Sequence, residues 1–133
     1  MPNPQNRQNV AEPQIFKTVQ ASASGNTAVW TPATGNRFRL LKYRIMITGN
    51  ATVAAAGVVT ITFQDATTAT NLSHDVYLNT SALGTVAFVY DSGWTDLGKF
   101  GYWSTTVNNA LNVNLSAALT AGNVRVEVAG VEF

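Results

Sequence analysis

The chain has 133 residues, which bounds it to one domain with a core of ordinary size, and its lack of cysteine excludes both a disulfide scaffold and a thiolate metal site. Charged residues make up only 11% of it and the formal net charge is +1, so no overall field is available to hold a polyanion. The surface must therefore be polar through neutral groups, and a disordered solvating chain, which needs high net charge and few β-branched residues, is excluded as well.

Residues 1–14 contain Pro2, Pro4 and Pro13 among Asn and Gln, with only Val10 and Ala11 apolar, and are expected to form an extended N-terminal arm. This opening has no apolar stretch of the signal-peptide kind, and no run approaches the roughly 18 residues of a membrane span, so a soluble protein made in the cytoplasm is expected. From Ile15 onward β-branched and aromatic runs alternate with Gly and Asn, and residues 15–133 are expected to form one β-sandwich domain. The spacing predicts strands over Ile15–Ala21, Thr27–Thr31, Arg37–Thr48, Val58–Asp65, Asp75–Leu78, Thr85–Asp91, Asn109–Leu115 and Val124–Phe133. About eight short strands with regular turn signals point to an all-β sandwich or jelly roll, and no window carries a helical stripe.

Three strands have readable faces. Val59, Ile61 and Phe63 alternate with polar residues, as do Val124, Val126 and Val128, and Gly130 then allows a kink or bulge before Val131 and Phe133. In the third strand, strict alternation puts Leu41, Tyr43, Ile45 and Ile47 on one face and Leu40, Lys42, Arg44 and Met46 on the other. The same alternation separates Arg37 and Arg39 from Lys42 and Arg44, splitting the basic run, so no direct nucleic-acid contact is expected. Gly-Asn pairs at Gly25, Gly35, Gly49 and Gly122 have the chemistry of tight hairpin turns, and Asp91-Ser92-Gly93 reads as a turn whose Asp caps its own backbone. Ala-rich stretches at 52–58 and 115–122 read as connections.

The chemistry-bearing residues do not assemble into an active site. The one histidine, His74, adjoins Asp75, but neighbours on a strand point to opposite faces, and a strand-edge histidine with no catalytic task is the simpler reading. Carboxylates are dispersed without the spacing of a calcium loop, and there is no nucleophile elbow and no glycine-rich phosphate loop. Neither a metal nor a cofactor is expected, and the chain is expected not to be an enzyme. Trp94, Phe100, Tyr102 and Trp103 cluster in a Gly-punctuated stretch, and Trp94, Tyr102 and Trp103 form a candidate platform for self-association or for stacking against a sugar, set against a purely structural role in core or interface. Trp30 reads as a core or interface ring.

The stretch Gly25-Asn26-Thr27-Ala28-Val29-Trp30-Thr31-Pro32, with Arg37-Phe38-Arg39-Leu40 and the closing run Leu119 to Val128, resembles small all-β virion proteins of tailed bacteriophages, most closely capsid decoration or cement proteins. The likeness covers most of the chain in size, arm and strand texture. It implies a homotrimer on the capsid exterior, bound to the major capsid protein and stabilising the shell, with no membrane partner. Arg7, Val10, Ile15, Phe16 and Lys17 are then the candidate capsid-binding residues. The alternative reading is a carbohydrate- or receptor-binding tip domain of a fibre or tail.

Overall fold

A computed structural model describes residues 14–81 and 88–133, and among them there is no helix. Among the described residues ten strands form: β1 (Ile15–Ala21), β2 (Gly25–Trp30), β3 (Phe38–Val53), β4 (Gly57–Asp65), β5 (Thr68–Leu78), β6 (Phe88–Asp91), β7 (Thr95–Asp96), β8 (Tyr102–Trp103), β9 (Leu111–Leu115) and β10 (Leu119–Glu132). They make two antiparallel sheets packed as a β-sandwich. The first runs β1-β10-β3-β6, with the two-residue strands β7 and β8 also on β3, and the second runs β2-β9-β4-β5. The chain pairs like a long hairpin rolled up: β1 with β10, β2 with β9, β3 with β6 to β8, and β4 with β5, the pairing order of a jelly roll.

The alternations expected for β4 and β10 hold. Val59, Ile61 and Phe63, like Val124, Val126 and Val128, are buried, and they meet across the sandwich with Ile45, Ile47, Val113 and Leu115. Trp30, 1% exposed, fills the core beside Phe38, and its indole N–H donates to Glu132 Oε1 at 2.9 Å. Burying so large a ring is favourable because its single polar group keeps a partner. The Glu132 carboxyl is desolvated, which raises its pKa, but donors from Trp30, Asn36 and the Ala33 N–H outweigh that and hold it below the usual range. The chain's last residue is tied in, Phe133 and Arg37 exchanging two backbone hydrogen bonds.

Four expectations change. All four Gly-Asn glycines adopt positive φ, but Gly49 and Gly122 are not in hairpin turns: they face each other within the β3–β10 pairing, where the register shifts. The close approach of the two strands there leaves no room for a Cβ, so β3 continues past Thr48 to Val53 and β10 begins five residues before Val124. The Ala-rich connections are thus partly strand. β5 is 11 residues, not four, because Thr68–Ser73 lies along the edge of the second sheet with little to bury. β7 and β8 were not foreseen. The predicted strand Thr85–Asp91 is described only from Phe88, and the N-terminal arm, with Arg7 and Val10, lies outside the described residues.

The fourth change governs the surface. Opposite Gly130 the register shifts: Ala129 pairs with Lys42 but Gly130 with Leu40, so Leu41 is an extra residue in β3. Both Leu40 and Tyr43 consequently face the core, at 0% and 4% exposure, and strict alternation through the strand fails. Past the bulge the parity of β3 is inverted. Arg39, Lys42 and Arg44, expected on two faces, share the outer face of the first sheet.

Candidate functional site

The two outer faces of the sandwich differ in chemistry. On the second sheet, registered pairs set Asn26, Asn114, Thr62 and Ser73 in one row and Thr60 beside Asp75 in another. Asn114 donates to Asn26 at 2.6 Å and Thr60 to Asp75 at 2.7 Å. These two pairs satisfy one another, and the exposed Val58–Tyr77 pair forms an apolar corner.

The first sheet's outer face is built from aromatic rings and cations. Its rows are Gln20–Arg125–Met46–Asp91, Thr18–Glu127–Arg44 and Phe16–Ala129–Lys42–Asp96. Two of the cations are neutralised locally. Arg44 makes a two-pronged contact with Asp91 at 2.6 and 3.1 Å, and Arg125 meets Glu127 at 3.1 Å. The Arg44 guanidinium, helped by the Gly93 N–H, holds the Asp91 carboxyl at about 2, so the Asp91-Ser92-Gly93 turn forms as read from the sequence.

The other two cations lie over rings and, among the described residues, form no ion pair with a carboxylate. Lys42 Nζ is 5.6 Å from the centre of the Phe16 ring and 5.0 Å from that of Trp94, and the Arg39 guanidinium is 5.1 Å from that of Trp103. Trp103 in turn packs edge-on against Phe133 at 4.7 Å. Such contacts attract a cation without cancelling its charge. Phe16, Trp94, Trp103 and Phe133 remain 63%, 44%, 46% and 46% exposed. Between the Phe16 and Trp94 rings opens a groove of about 250 Å³, with Thr18, Arg125 and Glu127 also lining it.

The residues singled out from the sequence are therefore redistributed. Phe16 and Trp94, assigned to different candidate sites, stand on one face with Lys42 joining them. Trp103 is at the far end of that face. Tyr102 is not part of any platform with them: being next to Trp103 on β8 it points the other way, stacks on Phe38 with ring centres 6.2 Å apart, and donates its hydroxyl to Asp65 at 3.1 Å. Ile15 packs against the core, and Lys17 alternates to the opposite side of β1 from Phe16, where its charge helps to lower the pKa of Glu132. Thr18, Lys42, Arg125 and Glu127 went unnoticed as site residues. The usable signal was Gly130, which announced a bulge, although not which strand carries the extra residue.

Two polar clusters lie inside. Asp65, 1% exposed, accepts from the Thr105 N–H at 2.7 Å, Asn109 Nδ2 at 2.8 Å, Ser104 Oγ at 2.9 Å, Tyr102 at 3.1 Å and Thr105 Oγ1 at 3.2 Å. Desolvation alone would raise its pKa, but these donors together hold it below the usual carboxylate range. It ties the end of β4 to the segment after β8. Desolvation, the carboxylate charge and the hydrogen bond push the Tyr102 phenol up to about 12. A raised folded-state pKa stabilises the fold below the unfolded value near 10 and loses that contribution as pH climbs toward 12. Alkaline titration followed at 295 nm should show one of the four tyrosines ionising late, and Tyr102→Phe should remove that late step.

His74 bridges the sheets. Tyr43 on β3 meets its Nε2 at 2.9 Å and Tyr90 on β6 its Nδ1 at 3.1 Å, and burial lowers its pKa. With both ring nitrogens engaged by phenols, it is built as a neutral strut. Asp75 points away from it, toward Thr60. Among the described residues, no three His, Asp or Glu side chains converge in a way that could hold a metal ion. Compared with known proteins, no family model matches the chain, and neither a curated protein nor a solved structure matches it.

Proposed function

We propose that the chain is a non-catalytic structural protein that decorates the outside of a phage capsid, docking through the outer face of its six-stranded sheet and braced by its N-terminal arm. The observation that carries this reading is the asymmetry of the sandwich. One face carries rows of amide, hydroxyl and carboxylate side chains with a single exposed apolar pair, Val58 and Tyr77, and the other exposes Phe16, Trp94, Trp103 and Phe133 around the cations Arg39 and Lys42. Exposed rings beside cations that form no ion pair among the described residues suit a partner surface that is partly apolar and partly acidic, and aromatic and arginine side chains are the residues that dominate binding energy at protein interfaces.

Two further features support it. Residues 1–14 lead directly into β1, whose second residue is Phe16, so arm and face would engage one partner together. A low surface charge limits like-charge repulsion when many identical copies crowd one shell. The resemblance to decoration proteins adds the homotrimeric state and the major capsid protein as partner.

The reading is tested by co-sedimentation of purified protein with capsids of the phage that carries its gene. Deleting residues 1–14, and separately combining Arg39→Glu with Trp103→Ser, are each expected to weaken binding by about tenfold or more. Undiminished binding in both would sink the assignment.

A further inference from the structure

We infer that the groove between Phe16 and Trp94 is a binding site for a carboxylated sugar ring, an acidic pyranose carried on a glycan. The inference does not depend on the capsid reading, since it concerns a soluble ligand and a site the isolated chain contains.

Size restricts the ligand first. At about 250 Å³ the groove falls below the roughly 300–1,000 Å³ that encloses a drug-sized molecule, so it accommodates one ring-sized group. Its location restricts it next. The groove lies on the face of the sheet, where the backbone N–H and C=O groups of β10 are already paired with β1 and β3, so its floor offers side chains and not main-chain partners.

The lining supplies the chemistry. The Phe16 and Trp94 side chains give flat apolar surface to the C–H faces of a pyranose. Thr18, the Arg125 guanidinium and the Glu127 carboxylate provide donors and acceptors for the hydroxyl pairs at the ring's edge. Arg125 and Glu127 hold each other at 3.1 Å, which orients the two groups toward one another before a ligand arrives.

Charge makes the sugar acidic. Glu127 is matched by Arg125, whereas the Lys42 ammonium joins the two rings and, among the described residues, forms no ion pair. A carboxylate on the ligand would complete the ammonium's coordination with a charge-assisted hydrogen bond.

The test uses the purified full chain, with 3′-sialyllactose and a glucuronate-containing disaccharide as acidic probes and lactose as the neutral one, followed by NMR shifts of the Trp94 indole N–H. Saturable shifts with an acidic probe are expected, with lactose weaker by about fivefold or more. Lys42→Gln should bring the acidic probe down to the lactose level, Trp94→Ala should weaken both by about tenfold, and Trp103→Ala should change neither. All three residues are partly exposed, and an otherwise unchanged amide spectrum verifies the fold of each variant. No shift with any probe up to about 20 mM overturns the inference. Equal binding of lactose, indifferent to Lys42→Gln, overturns its acidic part. Loss of capsid co-sedimentation on Trp94→Ala with no sugar bound would make the groove a protein-docking surface instead.

Discussion

Replacing Asp65 by alanine is expected to lower the unfolding free energy by about 3 kcal/mol and the melting temperature by about 10 °C. The carboxylate is 1% exposed and serves donors from Tyr102, Ser104, Thr105 and Asn109. Removing it strands several donors in a place water reaches poorly, and each unsatisfied group costs about 1–3 kcal/mol before relaxation. Asp65→Asn, which keeps one acceptor but turns an NH2 toward donors, should fall in between. The pH dependence has a definite sign. A depressed folded-state pKa contributes stability above the unfolded value near 3.9 and loses it as pH falls through the folded one, so the gap between wild type and Asp65→Ala should narrow in acid. Urea denaturation at a series of pH values measures this, and a loss below about 1 kcal/mol at neutral pH would show that the cluster is not the clamp described.

The second large effect is expected at Gly130. A Cβ there would run into the Arg39 carbonyl oxygen and come within 2.9 Å of the Trp30 ring, and neither backbone nor buried indole can yield. Gly130→Ala should cost about 2–3 kcal/mol, whereas Gly57→Ala, where a Cβ meets nothing within 4 Å, should stay within about 0.5 kcal/mol of wild type. Because Gly130 sits opposite the Leu41 bulge, the substitution should also disturb the Arg39–Trp103 contact, seen as a change in tryptophan fluorescence. Equal stability of the two variants would mean that the bulge tolerates a side chain.

How much of this was legible in the sequence depended on which force shaped each segment. β4 and β10 could be read because one face of each is wholly buried, and burial imprints alternation on Val59, Ile61 and Phe63 and on Val124, Val126 and Val128. The first half of β5 could not: Thr68 to Ser73 sits at a sheet edge, packs little, and so carries no apolar rhythm. β7 and β8, two residues each, are too short for any periodicity. The face of β3 was misread because a bulge shifts parity without altering composition, and that one residue decided whether Arg39 and Lys42 share a surface. The split of Tyr102 from Trp103 follows from strand geometry once β8 is known. The Asp65 cluster lay beyond sequence reasoning altogether, since its donors come from residues 102–109 and nothing local to Asp65 announces them.

The rolled-hairpin pairing has a consequence for how the protein is made. β10 is the neighbour of both β1 and β3, so the first sheet has no middle until the ribosome has delivered the tenth strand. Until β10 arrives, β1 and the β10-facing edge of β3 are unpaired, the state in which a nascent β chain sticks to its neighbours. Closing a loop from Ile15 to Gly130 is also the kind of long-range step that makes β topologies slow to fold. Pairings such as β4 with β5 and β3 with β6 can form earlier, but the first sheet closes only when β10 joins β1 to β3.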